Sequence, residues 1–253
     1  MQSEAEAADL AAALVEAATR AGASAADAMI GISRSSGISV RLGEVEDIDH
    51  SESFEVGLRL FDGQRSATVS SASLDPAHFP ELAERAFAMA RQAPEDPYAG
   101  LADPALLGDG TGPDLDLFDP VSPDLAALEA SARAAEDAAR GVAGVTNSNG
   151  ASAGTGHSLV ALATSTGFAR ALRSSHHNLS ASVVAGEAGA LQRDYAAHSS
   201  RHLADLDAPE KVGRLAAERT VARVGPKRIE SGSYAIIFDP RVASSLLGHL
   251  TAA

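Results

Sequence analysis

Residues 54–71 read F-E-V-G-L-R-L-F-D-G-Q-R-S-A-T-V-S-S, and this stretch decides the fold class. Phe54, Val56, Leu58 and Leu60 alternate with Glu55, Gly57 and Arg59, the two-residue period of a strand with one face buried. Asp62-Gly63 supplies a tight turn, because both central positions of a type I′ turn need positive φ and this pair tolerates it. Beyond the turn, Ala67 and Val69 alternate with Ser66, Thr68 and Ser70. The stretch is therefore a hairpin with an apolar face and a wet face, and the Ala-rich helical segments around it need the apolar face to pack on.

The 253 residues suffice for one large domain or two small ones. Hydrophobic residues make up 45% but aromatics only 4%, with no Trp, so the core is built from Ala, Val, Leu and Ile. The absence of Cys excludes disulfides and thiolate metal sites. A formal net charge of −14 disfavours contact with DNA phosphates, where basic patches supply most of the affinity. No apolar run approaches the roughly 20 residues of a membrane span. The acidic start M-Q-S-E-A-E-A lacks the order of a signal peptide, so a soluble, cytoplasmic protein is expected.

Working outward, residues 4–21 read as a helix, with Leu10, Leu14, Val15 and Ala18 at helical spacing and Gly22 as its stop. Strands are expected over Asp27–Ser33 and Ile38–Leu42, with Ser35-Ser36-Gly37 as a turn between them. The acidic run Glu44–Asp49 reads as a solvated loop or strand edge. Residues 76–92 form a second helix opened by Asp75-Pro76. From Pro94 to Pro123 the composition shifts to Pro, Gly and Asp, a long connection ordered in part by Leu106, Leu107, Leu115 and Phe118.

A third helix spans 123–140, with Ser122 as cap, and strands follow over Val142–Asn147, Ser158–Ser165, Phe168–Ala185 and Gly189–Ala196. A fourth helix covers Pro209–Arg223 and Tyr234–Phe238 reads as a short apolar strand. Asp239-Pro240 opens a last helix whose pattern is still running at Ala253, which reads as the N-terminal part of a longer protein.

The expected class is α+β: antiparallel hairpins packed against Ala-rich helices. The expected organisation is an N-terminal half over 1–93, a connection over 94–122, and a second portion over 123–253 that stops before a C-terminal β-rich domain. The order helix, paired strands, helix occurs in both halves, although residue identity between them does not establish a duplication.

Five of the eight His residues fall between 157 and 202: His157, His176, His177, His198 and His202. Adjacent His176 and His177 on a strand point to opposite faces and cannot share one ion. His198 and His202 would share a face of a helix, but Ser199-Ser200-Arg201 between them supplies no Glu base. The Gly-rich run 147–156, N-S-N-G-A-S-A-G-T-G, lacks the Gly-Lys-Ser/Thr ending of a phosphate loop and reads as a hairpin connection. No G-x-S-x-G elbow is present. Arg193-Asp194-Tyr195 is polar but specifies no chemistry. The residues alone give a fold without an active site: no catalytic, cofactor-binding or metal-binding residue is assigned.

Several stretches together resemble the TldD/PmbA family, its TldE (PmbA) branch in particular. They are G-L-R-L-F-D-G-Q-R at 57–65, the Gly-rich run at 147–156, S-T-G-F at 165–168 and R-D-Y at 193–195. S-S-R-H at 199–202, A-P-E-K-V-G at 208–213 and I-I-F-D-P-R-V-A-S-S-L-L-G-H-L at 236–250 complete the set. The resemblance implies a subunit of a cytoplasmic TldD–TldE heterodimeric metallopeptidase that takes unfolded or extended peptides into a chamber and cleaves them. In such complexes zinc belongs to the TldD-type partner, whose helix carries H-E-x-x-x-H: two His hold the metal and the Glu activates water.

This sequence departs from that helix. Its matching end reads S-L-L-G-H-L-T-A-A, with Gly248 at the first metal His, His249 at the Glu and Ala252 near the second His. Glycine and alanine offer zinc no donor atom. The resemblance thus implies a non-catalytic subunit with zinc in its partner, no direct nucleic-acid contact and no membrane. Two alternatives stand beside it: a self-sufficient zinc metallopeptidase using His198, His202 or residues beyond Ala253, and a binding protein that modulates DNA gyrase.

Overall fold

The computed structural model describes residues 3–108 and 113–252. Residues 109–112 of the connection, Met1 and Gln2 of the acidic start and Ala253 lie outside the described residues. The elements are α1 (Glu4–Arg20), β1 (Ala25–Arg41), β2 (Glu44–Asp62), β3 (Arg65–Ser71), α2 (Phe79–Ala90), α3 (Leu125–Arg140), β4 (Val145–Thr164), β5 (Ala169–Ala185), β6 (Gln192–Ser200), α4 (Pro209–Val221) and α5 (Pro240–Ala252). The six strands form one antiparallel sheet in the order β3-β2-β1-β4-β5-β6. Each half of the chain supplies three consecutive strands, and β1 pairs with β4 at the centre.

Alternation sorts the side chains into a helix-covered face and an open one. Ala26, Ala28, Ile30 and Ile32 of β1 are buried against α1 and α2, together with Val56, Leu58 and Leu60 of β2. A second apolar cluster gathers Ile38 and Val40 with Ala151, Leu179, Leu128 and Val212 under α3 and α4. Alanine makes close packing possible: Ala7, Ala11 and Ala18 of α1 are fully buried around Leu14. Ser3 caps α1 in a capping box with Glu6, and Gly22 ends it at φ +106°.

Between the two clusters, on the helix-covered side, a polar seam crosses the sheet. It carries Arg34 and Ser36 of β1, Thr155 and His157 of β4, and Ser175 and His177 of β5. The connection closes over it: Ser175 N donates to Leu117 O at 2.9 Å, and the Phe118 ring lies 5.3 Å from that of His157.

Several expectations are corrected. Ser35-Ser36-Gly37 is not a turn; β1 runs through it with ladder bonds to β2 and β4 on either side, which outweigh the local turn preference. The Gly-rich run 147–156 is likewise strand, inside β4, and its irregularity survives as register shifts at 145–147 and 148–150. Asp62 pairs with Arg65, so the turn centres on Gly63-Gln64, with positive φ at Gly63 alone. The hairpin with two positive-φ residues is Leu42-Gly43, at φ +53° and +82°. Asp124, not Ser122, caps α3 by accepting from Ala127 N at 2.8 Å. Among the described residues Tyr234–Phe238 finds no neighbouring strand and stays irregular. Of the residues expected to order the connection, Leu106 and Leu115 are exposed while Phe118 packs on His157, joined by Leu117 and Asp119.

Candidate functional site

A candidate surface lies on the open face of the sheet. Ser35, Gly37 and Ser39 of β1 lie beside Asp47 and Asp49 of β2 on one flank and Ser152 and Gly154 of β4 on the other. With His176 and Asn178 of β5 they line a concavity of about 340 Å³. The floor is flat because its strands place only hydrogen or a hydroxymethyl there. At two points a larger residue would displace a neighbour: a Cβ on Gly156 would meet the His176 ring, and one on Gly154 would sit 2.6 Å from Asn178 Oδ1. Those two β5 side chains lie across β4, an arrangement the Gly-rich run permits.

The histidines do not converge. His176 is exposed on the open face and His177 buried on the other, as their adjacency dictates. His198 lies in β6, where its Nδ1 accepts from Asp207 N at 3.0 Å. His202 caps a short turn and contacts Asp116 O at 3.0 Å, so no helix carries the pair. Among the described residues no group of three or more His, Asp or Glu could hold a metal. On α5, Gly248 and Ala252 have no donor and His249 stands exposed, so this helix does not fit zinc.

Thr155 Oγ1, His177 and Asp119 form a line, at 3.1 Å to Nδ1 and 3.5 Å from Nε2 to Oδ2. All three are buried where the connection meets the sheet. Burial holds the imidazole below its ordinary pKa, against the pull of Asp119. The Asp119 carboxylate is held low by the N–H groups of Leu203 and Val121. The line fastens the connection to β5 and to the loop after β6.

Arg193-Asp194-Tyr195 proves structural, by a route its own residues conceal. Asp194 is 5% exposed and receives Arg223 Nε at 2.7 Å and Arg241 Nη1 at 2.9 Å, while its Oδ1 also accepts Tyr195 N at 2.8 Å. Burial pushes the carboxyl up, but these donors outweigh it and bring the pKa down to about 2. Arg241 also lies 5.6 Å over the Tyr195 ring and binds Asp239 at 3.1 Å. The node therefore joins β6, the segment just past α4 and the start of α5, which are far apart in sequence. Reading the chain could not find it, because Arg223 and Arg241 stand 29 and 47 residues away.

The acidic run expected as a solvated loop or strand edge is edge strand. From Glu44 to Glu55, β2 has β1 on one side, and pairing with β3 begins only at Val56.

Known proteins share this arrangement. Residues 26–90 match the PmbA/TldA metallopeptidase domain 1 and residues 118–224 the central domain of the same family. The Metalloprotease PmbA of Escherichia coli O157:H7 is 36% identical over 89% of this chain and 51% of its own length. A Metalloprotease PmbA homolog of Haemophilus influenzae is 32% identical over 94% and 53%. The chain spans about half the length of the curated relatives it matches. A Bacteroides thetaiotaomicron structure, described as a candidate modulator of DNA gyrase, superposes with a TM-score of 0.88 at 25% identity, covering 96% of this chain and 56% of that one. TldE from Thermococcus kodakarensis shares the fold, with a TM-score of 0.70 at 18% identity over 83% of this chain and 47% of its own. With matched domains in this order, and relatives aligned along most of its length, the chain belongs to the PmbA/TldD metallopeptidase family.

Proposed function

We propose that the chain serves as the non-catalytic, TldE (PmbA)-like subunit of a heterodimeric TldD–TldE metallopeptidase. It supplies wall and substrate-guiding surface for unfolded or extended peptides, while a TldD-type partner holds the zinc. The observation that carries this reading is α5: the helix matching the family's zinc helix places Gly248 and Ala252 where imidazoles would be needed. A hydrogen and a methyl cannot replace two ligands, and His249 alone cannot hold the ion. The flat, polar open face supports the guiding role, since a floor of Ser and Gly leaves room for an extended chain.

The test is reconstitution. The purified protein, a TldD-type partner and their mixture are assayed for zinc content and for cleavage of an unfolded peptide. Expected is chelator-sensitive cleavage only in the mixture, with stoichiometric zinc only in preparations containing the partner. Chelator-sensitive cleavage by this protein alone would overturn the assignment and favour the self-sufficient peptidase.

A further inference from the structure

We propose that the outer edge of β2 from Glu44 to Glu55 is a strand-addition site for an extended peptide in which basic and apolar residues alternate. Along this stretch β2 is bonded to β1 alone, and β3 starts its pairing at Val56. An unpaired edge exposes a row of N–H and C=O groups with the geometry of a further strand. The equivalent stretch in the other half of the molecule is closed by the chain itself. There β5 begins pairing with β6 only at His177, and its free portion is covered by Leu117, whose carbonyl accepts Ser175 N, and by Glu4, which accepts Arg173 N at 3.2 Å. No such cover lies on Glu44–Glu55 among the described residues.

The side chains define the occupant. Asp47 and Asp49 face the open side beside Ser39 and Gly37. Glu46 and Glu52 are tied to Arg41 and Arg34, but Glu44, Asp47, Asp49 and Glu55 have no cationic partner among the described residues. On the opposite side of the strand Ile48 is 54% exposed, and Phe54 follows further along beyond His50 and Glu52. A strand laid on this edge presents alternate side chains to the two faces. Lys or Arg at every second position therefore meets Asp47 and Asp49, and the apolar residues between them meet Ile48 and Phe54. The net charge of −14 favours the approach of such a peptide. The competing account is that these carboxylates only keep two copies of the edge from pairing; it predicts no peptide binding at all.

That the occupant is a peptide rests on the subunit reading above, but the test needs neither partner nor cleavage. A labelled peptide of about twelve alternating Lys and Val residues, matching the length of the edge, is titrated by fluorescence anisotropy. Expected is binding at least about tenfold tighter than for a block-ordered peptide of the same composition or an alternating Glu/Val peptide, weakening with salt. Backbone N-methylation at alternate residues abolishes it, and hydrogen exchange slows at residues 44–55. The double variant Asp47→Asn/Asp49→Asn loses about tenfold in affinity with an unchanged melting temperature. Absent binding, equal binding of the N-methylated peptide, or undiminished binding by the double variant overturns the site and leaves the subunit reading standing. Cleavage by the protein alone does the reverse.

Discussion

The buried Glu136 carboxylate of α3 holds Leu42 in its left-handed conformation. Its two oxygens accept the N–H groups of Leu42 at 2.8 Å and Gly43 at 2.9 Å, and the Ser148 hydroxyl donates to it from β4. Arg133, one turn earlier, donates to Gly43 O. Burial pushes the carboxyl pKa up, yet these donors outweigh it and keep the group ionised. Helix α3 thus grips the β1–β2 turn at both its donors and its acceptor.

Glu136→Ala strips the acceptor from three donors, two of them backbone, and should cost about 3 kcal/mol. Leu42→Asn should stabilise by about 1 kcal/mol, because Asn-Gly suits a turn with two positive φ values and leucine does not. Urea unfolding of both variants checks the pair; a neutral Glu136→Ala would show that the turn holds itself.

Gly63 stands at φ +62° with open space where a β-carbon would sit, so conformation alone requires it. Gly63→Val should lose about 2 kcal/mol, since a β-branched residue resists this region. Thermal melting within error of the parent would remove the argument.

Gly213 in α4 is required for the opposite reason. A Cβ there would run into the Ala135 carbonyl of α3, which is backbone and cannot swing away. Gly213→Ala, a favourable change by helix propensity, should instead cost about 3 kcal/mol by prising the helices apart. Calorimetry that finds it stabilising would mean that α3 and α4 adjust freely.

Asp194 links the tail node to pH. Its folded pKa of about 2 lies below the unfolded 3.8, so its contribution is present above pH 3.8 and lost as pH falls through 2. The difference corresponds to about 2 kcal/mol. Asp194→Asn should remove that part of the acid dependence, seen as a shallower loss of stability between pH 4 and 2 in urea titrations. Parallel curves for parent and variant would refute the linkage.

His177 acts at milder pH. Its folded pKa is lowered from 6.5, so the unfolded chain binds the proton first and stability declines as pH falls below 6.5. His177→Asn, which preserves a polar group toward Thr155, should flatten the profile in that window. An unaltered slope would place the titration elsewhere.

The helices were legible because their signals are local. Leu14, Val15 and Ala18 share a face of α1 by spacing alone, and Gly22 stops the helix by its own backbone freedom. The density of charge at Glu44–Asp49 likewise marked a solvated loop or strand edge, and the pairing with β1 makes it strand. The lengths of β1 and β4 were not legible. Ser35-Ser36-Gly37 and Asn147–Gly156 carry turn residues, and only a ladder on either side makes them strand. The Asp194 node failed for distance: three residues of a motif cannot reveal two arginines on later segments.

By itself the sequence determined which side chains turn inward, since burial of apolar residues follows a period that each element carries within it. The tertiary structure alone decided where strands continue, which carboxylates find cations, and that one half of the sheet covers its own edge while Glu44–Glu55 has β1 alone as neighbour among the described residues. Those outcomes depend on hydrogen bonds and ion pairs between residues far apart in the chain, and no local pattern encodes such partners.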